Sequence, residues 1–154
     1  MKKILLLLLL LINLSVDAQV DYNNYISKTK KDIIRQFKEE NFKYKFEQKM
    51  YVQVDSVGLW HLDEDHYTWL VYYNDITGLF TFNNISNRCD QYYLLHRNLS
   101  SYWDYFDYYN QVFDKSNREL VWVDKYHSYY VEFSIRALSS KQFYIFVERK
   151  NYKK

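Results

Sequence analysis

Tyr67-Thr-Trp-Leu-Val-Tyr-Tyr73, Ile76-Thr-Gly-Leu-Phe-Thr-Phe-Asn83 and Cys89-Asp-Gln-Tyr-Tyr-Leu-Leu-His96 are three runs rich in β-branched and aromatic residues. Turns at Asn74-Asp75 and Asn83-Asn84-Ile85-Ser86-Asn87 connect them. Such runs read as consecutive antiparallel strands, with Asn tolerating the left-handed backbone of the turns. Strands are expected over 67–73, 77–83 and 88–96. In the first, Trp69, Val71 and Tyr73 share one face, and Leu70 and Tyr72 the other. A strand apolar on both sides belongs in the middle of a covered sheet. Cys89, the single cysteine, fits there as a small buried hydrophobe; no intramolecular disulfide is available.

Outward from this centre, the pattern supplies two helices and further strands. Thr29 and Asp32 form a capping pair ahead of Ile33, Ile34 and Phe37, so a helix starts at 29 and ends near Asn41. Phe42, Tyr44 and Phe46 then alternate with charged residues, giving a half-buried strand that turns at Gln48-Lys49. Tyr51, Val52 and Val54 begin another, and a short strand and a turn follow within 58–66. A second helix is expected over about 101–114, capped by Ser101 with Asp104. Its stripe is Trp103, Phe106, Asn110 and Phe113, widened by Tyr102, Tyr105, Tyr109 and Val112. Three more strands, 119–124, 128–136 and 142–149, close a chain ending in a basic tail at 151–154. The expectation is one α+β domain over 29–150, mostly antiparallel sheet, with both helices on one face.

The first 18 residues read as a cleaved signal peptide. Lys2 and Lys3 precede the apolar run Ile4–Ile12, and Val16 and Ala18 occupy the small-residue positions before a cut. The run is too short to span a bilayer, which takes about 20 residues. The expectation is a periplasmic or secreted protein that begins at Gln19, has no stable membrane anchor, and carries a lead-in over 19–28. Export resting on such a leader, together with Thr29-Lys-Lys-Asp-Ile-Ile-x-x-Phe37 and Phe80-x-Phe-Asn-Asn-x-x-x-x-Cys89, resembles small exported proteins of Bacteroidota whose function is not established. No site residues come with that resemblance.

Charge excludes more than it selects. A formal net charge of +2 gives no field for steering onto nucleic acid, so no nucleic-acid partner is expected. No phosphate-cradling loop or serine-hydrolase signature is present, and no cofactor is expected. Two constellations remain. His61-Leu-Asp63-Glu-Asp65-His66 places imidazoles and carboxylates close together, so His61, Asp63, Asp65 and His66 are candidate metal ligands for a metal-assisted hydrolase. The histidines are five apart, so a turn must bring them together.

The second constellation is aromatic. The chain holds 18 Tyr, 10 Phe and 4 Trp, all beyond residue 18 and more than one small core hides. Trp103, Tyr105, Tyr109, Trp122, Tyr126 and Tyr129 are candidate binding residues for another protein, or for a glycan stacked on their rings. The leading expectation is therefore a non-enzymatic binding domain, with a glycan module and the hydrolase as alternatives. Burial of Trp69, Trp103 and Trp122 together would remove the stacking platform.

Overall fold

The computed structural model describes residues 20–50, 52–54, 60–62 and 65–153. The expected signal segment lies outside them. Two helices, α1 (Lys30–Glu39) and α2 (Tyr102–Val112), accompany ten strands: β1 (Tyr44–Met50), β2 (Val52–Val54), β3 (Trp60–Leu62), β4 (His66–Tyr73), β5 (Ile76–Asn83), β6 (Cys89–His96), β7 (Asp114–Lys115), β8 (Val121–Lys125), β9 (Tyr129–Ala137) and β10 (Phe143–Asn151). Eight strands form one antiparallel sheet in the order β1-β4-β5-β6-β10-β9-β8-β7, and β2 and β3 pair separately. The expected α+β class, dominated by antiparallel sheet, is what folds.

Register explains the layering. Trp69 faces Phe80, Phe80 faces Tyr92, Tyr92 faces Val147 and Val147 faces Phe133. Directly opposed residues point to the same side, so one continuous aromatic and aliphatic face runs across five strands. Both helices lie on it. From α1, Phe37 stacks on Tyr73 at 4.4 Å between ring centroids. From α2, Tyr105 meets His96 and Phe143, while Tyr109 meets Trp122 and Phe133. The opposite face carries the Thr68–Thr81 hydroxyl pair and a small cluster of Leu79, Tyr93, Tyr144 and Phe146.

Helix α1 starts as its sequence requires. The Thr29 side chain accepts from the Asp32 backbone N–H, and the Asp32 carboxylate accepts from the Thr29 backbone N–H. Helix α2 starts differently. Ser101 makes no side-chain cap bond; Asn98, one short 3-10 turn earlier, accepts from Ser100 N instead. Strand β1 also departs from expectation. It runs straight through Gln48-Lys49, because pairing with Leu70 and Trp69 of β4 continues there.

The larger departure is at 20–28. This segment is no lead-in: it lies between α1 and α2 as part of the core. Tyr25 is fully buried against Phe37, Phe80 and Tyr92. The Asn23 side chain accepts from Gln36 of α1, and Tyr22 packs on Tyr105 and Tyr108 of α2. Backbone bonds between Ser27 N and Cys89 O (2.7 Å) and between Cys89 N and Lys28 O (2.9 Å) fasten its end to β6.

Candidate functional site

The six aromatic candidates separate by burial. Tyr105, Tyr109 and Trp122 are core residues and offer no ring face to a partner. Helix α2 turns both tyrosines onto the sheet, and Trp122 sits opposite Phe133 in the ladder. Their polar atoms are used internally where the structure defines them. The Tyr105 hydroxyl accepts from Asp21 N at 2.8 Å, and Trp122 Nε1 donates to Asn110 at 2.9 Å. Lys115 Nζ lies 3.9 Å from the Trp122 ring centroid. Trp69 is also buried, but Trp103 is 64% exposed. The stripe on α2 therefore centres on Tyr105 and Tyr109, not on Trp103.

Tyr126 and Tyr129 are different. They stack on each other at 4.6 Å with 11° between planes, Tyr126 from the β8–β9 connection and Tyr129 from the start of β9. Tyr126 is 38% exposed. Its hydroxyl donates to Asp124 at 2.7 Å, and burial together with that carboxylate pushes the phenol up to about 12. The Arg149 guanidinium lies 4.1 Å from the Tyr129 ring centroid. A 4.6 Å ring spacing leaves no room for a guanidinium between the rings, so Arg149, Tyr129 and Tyr126 stack as a ladder in that order, with the partly exposed Tyr126 at the end away from Arg149.

The metal candidates are only partly described. The His61 side chain and Asp63 lie outside the described residues. Asp65 is exposed, and its carbonyl accepts from Asn84 N at 2.7 Å. His66 Nε2 stands 3.7 Å from Asp90 Oδ2. Among the described residues, no group of three or more His, Cys, Asp or Glu side chains is placed to hold a metal ion.

Sheet topology brings these separate features together. Antiparallel order puts the start of β4, the end of β5, the start of β6, the end of β10 and the start of β9 at one end of the sheet. A depression of about 440 Å³ opens there, walled by His66, Asn83, Asp90, Glu148, Arg149 and Asn151 among others, all polar. Two of these also touch the tyrosine ladder: Arg149 lies over Tyr129, and Asn151 pairs with Tyr129 across β9–β10. Burial raises the Asp90 carboxyl above its ordinary value, while Arg149 and His66 pull it back down. Asp90, Glu148 and Arg149 carried no sequence signal, since isolated charged residues near strand ends are common.

Two groups that nucleophilic or acid–base chemistry would need are sealed in the core. Burial, reinforced by Asp90, raises the Cys89 thiol well above its usual range, leaving it an inert hydrophobe. His96 is 4% exposed, stacks on Phe143 at 4.6 Å, and has no hydrogen-bond partner at Nε2. Asp21, 2% exposed, accepts from the Tyr25 and Tyr73 hydroxyls at 2.6 Å each, and from Asn23 N and Nδ2 at 3.0 and 2.8 Å. Burial raises its carboxyl, and those four hydrogen bonds oppose the rise. Four donors on one carboxylate satisfy it fully, as a structural tie does. No helix among the described residues is long and apolar enough to cross a membrane. Comparisons with known protein families, with curated proteins and with solved structures find no match to this chain.

Proposed function

We propose that this chain is an exported, non-enzymatic binding domain that engages another macromolecule through the end of its sheet where Tyr126, Tyr129 and Arg149 meet the polar depression. The observation that carries the reading is the ladder itself. A partly exposed tyrosine ring, backed by a second ring and a guanidinium, is a pre-ordered contact surface with little side-chain entropy left to lose. The burial of Cys89 and His96 argues for binding over catalysis. Export is supported by the positive start, apolar run and small-residue cut site of the first 18 residues. It is also supported by Val20, which packs against the core two residues beyond Ala18.

Retention of the purified protein on envelope and extracellular fractions of the source cells tests this reading. Tyr126→Ala and Arg149→Ala variants that keep the wild-type fold are expected to lose most retention. Equal retention of the wild type and both variants would overturn the proposal.

A further inference from the structure

We infer that the exposed side of α2 around Trp103 is a docking surface for a basic segment of a partner protein, with an arginine or lysine of that segment lying on the Trp103 ring and paired to Asp107. This surface is separate from the sheet end: Trp103, Asp104 and Asp107 neither line the depression nor touch the tyrosine ladder.

The face follows from helix geometry. Tyr105 and Tyr109, four residues apart, turn onto the sheet and are buried. At 3.6 residues per turn the opposite side of the helix carries Trp103, Asp104 and Asp107, and all three are exposed. A tryptophan gains more from burial than almost any other side chain, yet this one stands largely in solvent. It is held in place all the same. Its ring makes edge contacts with Tyr102 at 5.3 Å and Phe106 at 5.5 Å, and Phe106 in turn meets the buried Trp122. An exposed indole already fixed by its neighbours loses little freedom when a partner covers it, and tryptophan is prominent among the residues that carry interface energy.

Two observations make the partner cationic. The first is how the chain treats its other indoles. Trp69 and Trp122 each carry a lysine ammonium, Lys30 at 4.8 Å and Lys115 at 3.9 Å from the ring centroid. Trp103 carries none among the described residues, although its ring attracts a cation in the same way. The second is charge. Asp32, Glu39, Asp114, Glu132 and Glu148 each pair with a lysine or arginine of the fold. Asp104 and Asp107 have no such pair among the described residues, and α2 itself contains no lysine or arginine. Side chains four apart on a helix are neighbours, with about 5–6 Å between Cβ atoms. One guanidinium can therefore lie on Trp103 and bond the Asp107 carboxylate together, and Asp104 offers a second carboxylate to the next cation along the segment. An acidic segment would instead meet two uncompensated charges.

The test is an amide-resolved NMR titration of the folded protein at low salt with the capped peptide Gly-Arg-Gly-Arg-Gly, and with capped Gly-Gln-Gly-Gln-Gly as a neutral control. Each is taken to about 10 mM, a range that detects millimolar dissociation constants. The arginine peptide is expected to bind and to shift the Trp103 indole N–H together with the amides of Trp103, Asp104 and Asp107. Trp103→Ala and Asp107→Asn should each weaken that binding about threefold or more, and added salt should weaken it further. Asp75→Asn, which removes an exposed acid in the β4–β5 turn, should leave it unchanged. Absence of binding, shifts confined to other regions, or affinities indifferent to both α2 variants would overturn the inference. Equal binding of the neutral peptide would overturn it by showing a stacking surface without charge selection. Shifts of the same amides on concentrating the protein alone would overturn it in favour of a second copy as the occupant.

Discussion

Acidification from about pH 7.5 to about 4.5 should remove roughly 2.5 kcal/mol of stability through His96 alone. Burial against Phe143 and Tyr105 lowers the His96 imidazole from 6.5 to about 4. The folded protein therefore resists protonation that the unfolded chain accepts. With the folded value depressed, the stabilising contribution is fully present above 6.5 and is lost as pH falls from there toward 4. At about 1.4 kcal/mol per pH unit the whole window is worth about 3 kcal/mol, and most of it is traversed by pH 4.5.

The matching perturbation is His96→Phe. Phenylalanine keeps a ring on Phe143, cannot titrate, and removes an Nε2 that has no partner, so at neutral pH the variant should be at least nearly as stable as the wild type. Urea denaturation of both proteins at the two pH values isolates the term. Asp21 and the surface carboxylates are common to both and cancel. The wild type should lose about 2.5 kcal/mol more than the variant over this interval. Parallel losses would show that His96 is hydrated or charged in the fold, and would refute the packing argument.

Asp21→Ala strips the acceptor from two buried phenols, those of Tyr25 and Tyr73. A loss of about 2–4 kcal/mol is expected from denaturant midpoints, and an unchanged midpoint would show that water replaces the carboxylate. Gly78→Ala should cost about 1–3 kcal/mol, because the new Cβ would stand 2.6 Å from Phe80 Cε2 and 3.0 Å from Tyr73 Cε1; a neutral thermal shift would mean those rings can yield. Trp122→Ala should cost about 3–5 kcal/mol. Trp103→Ala, at 64% exposure, should cost under about 1 kcal/mol by the same measurement; comparable losses would contradict their assignment to core and surface.

What the sequence revealed of this fold was mostly local. Strands β4 to β6 could be read from their alternation and their Asn turns: Asn74 and Asn87 take the positive φ values of 50° and 53° that the turns require. Helix α1 was legible because Thr29 and Asp32 satisfy each other within four residues. The role of 20–28 was not, since nothing local marks it. Asp21 contacts Tyr73 and Tyr105 at separations of 52 and 84 residues. The buried stripe of α2 is not legible in the sequence, because Trp and Tyr are equally apolar in a helical pattern; the Tyr105 hydroxyl has a buried backbone donor, whereas Trp103 is exposed. At the candidate site, His66 stands far along the chain from Tyr126 and Tyr129. Their convergence depends on β10 lying between β6 and β9, and that order leaves no mark in any short stretch.

The placement of 20–28 also orders events in time. During synthesis this segment precedes its partners: Tyr73 follows Asp21 by 52 residues and Tyr105 by 84. Until α2 has formed, the cleft that Tyr22 and Tyr25 fill lacks one wall. An N-terminal fragment ending before α2 would leave these rings without part of their cover and Asp21 N without its phenol acceptor. For the same reason a bulky fusion joined directly at Val20 would have to clear the space between two helices, whereas the C-terminal end, exposed at Tyr152, offers a freer point of attachment for labels and linkers.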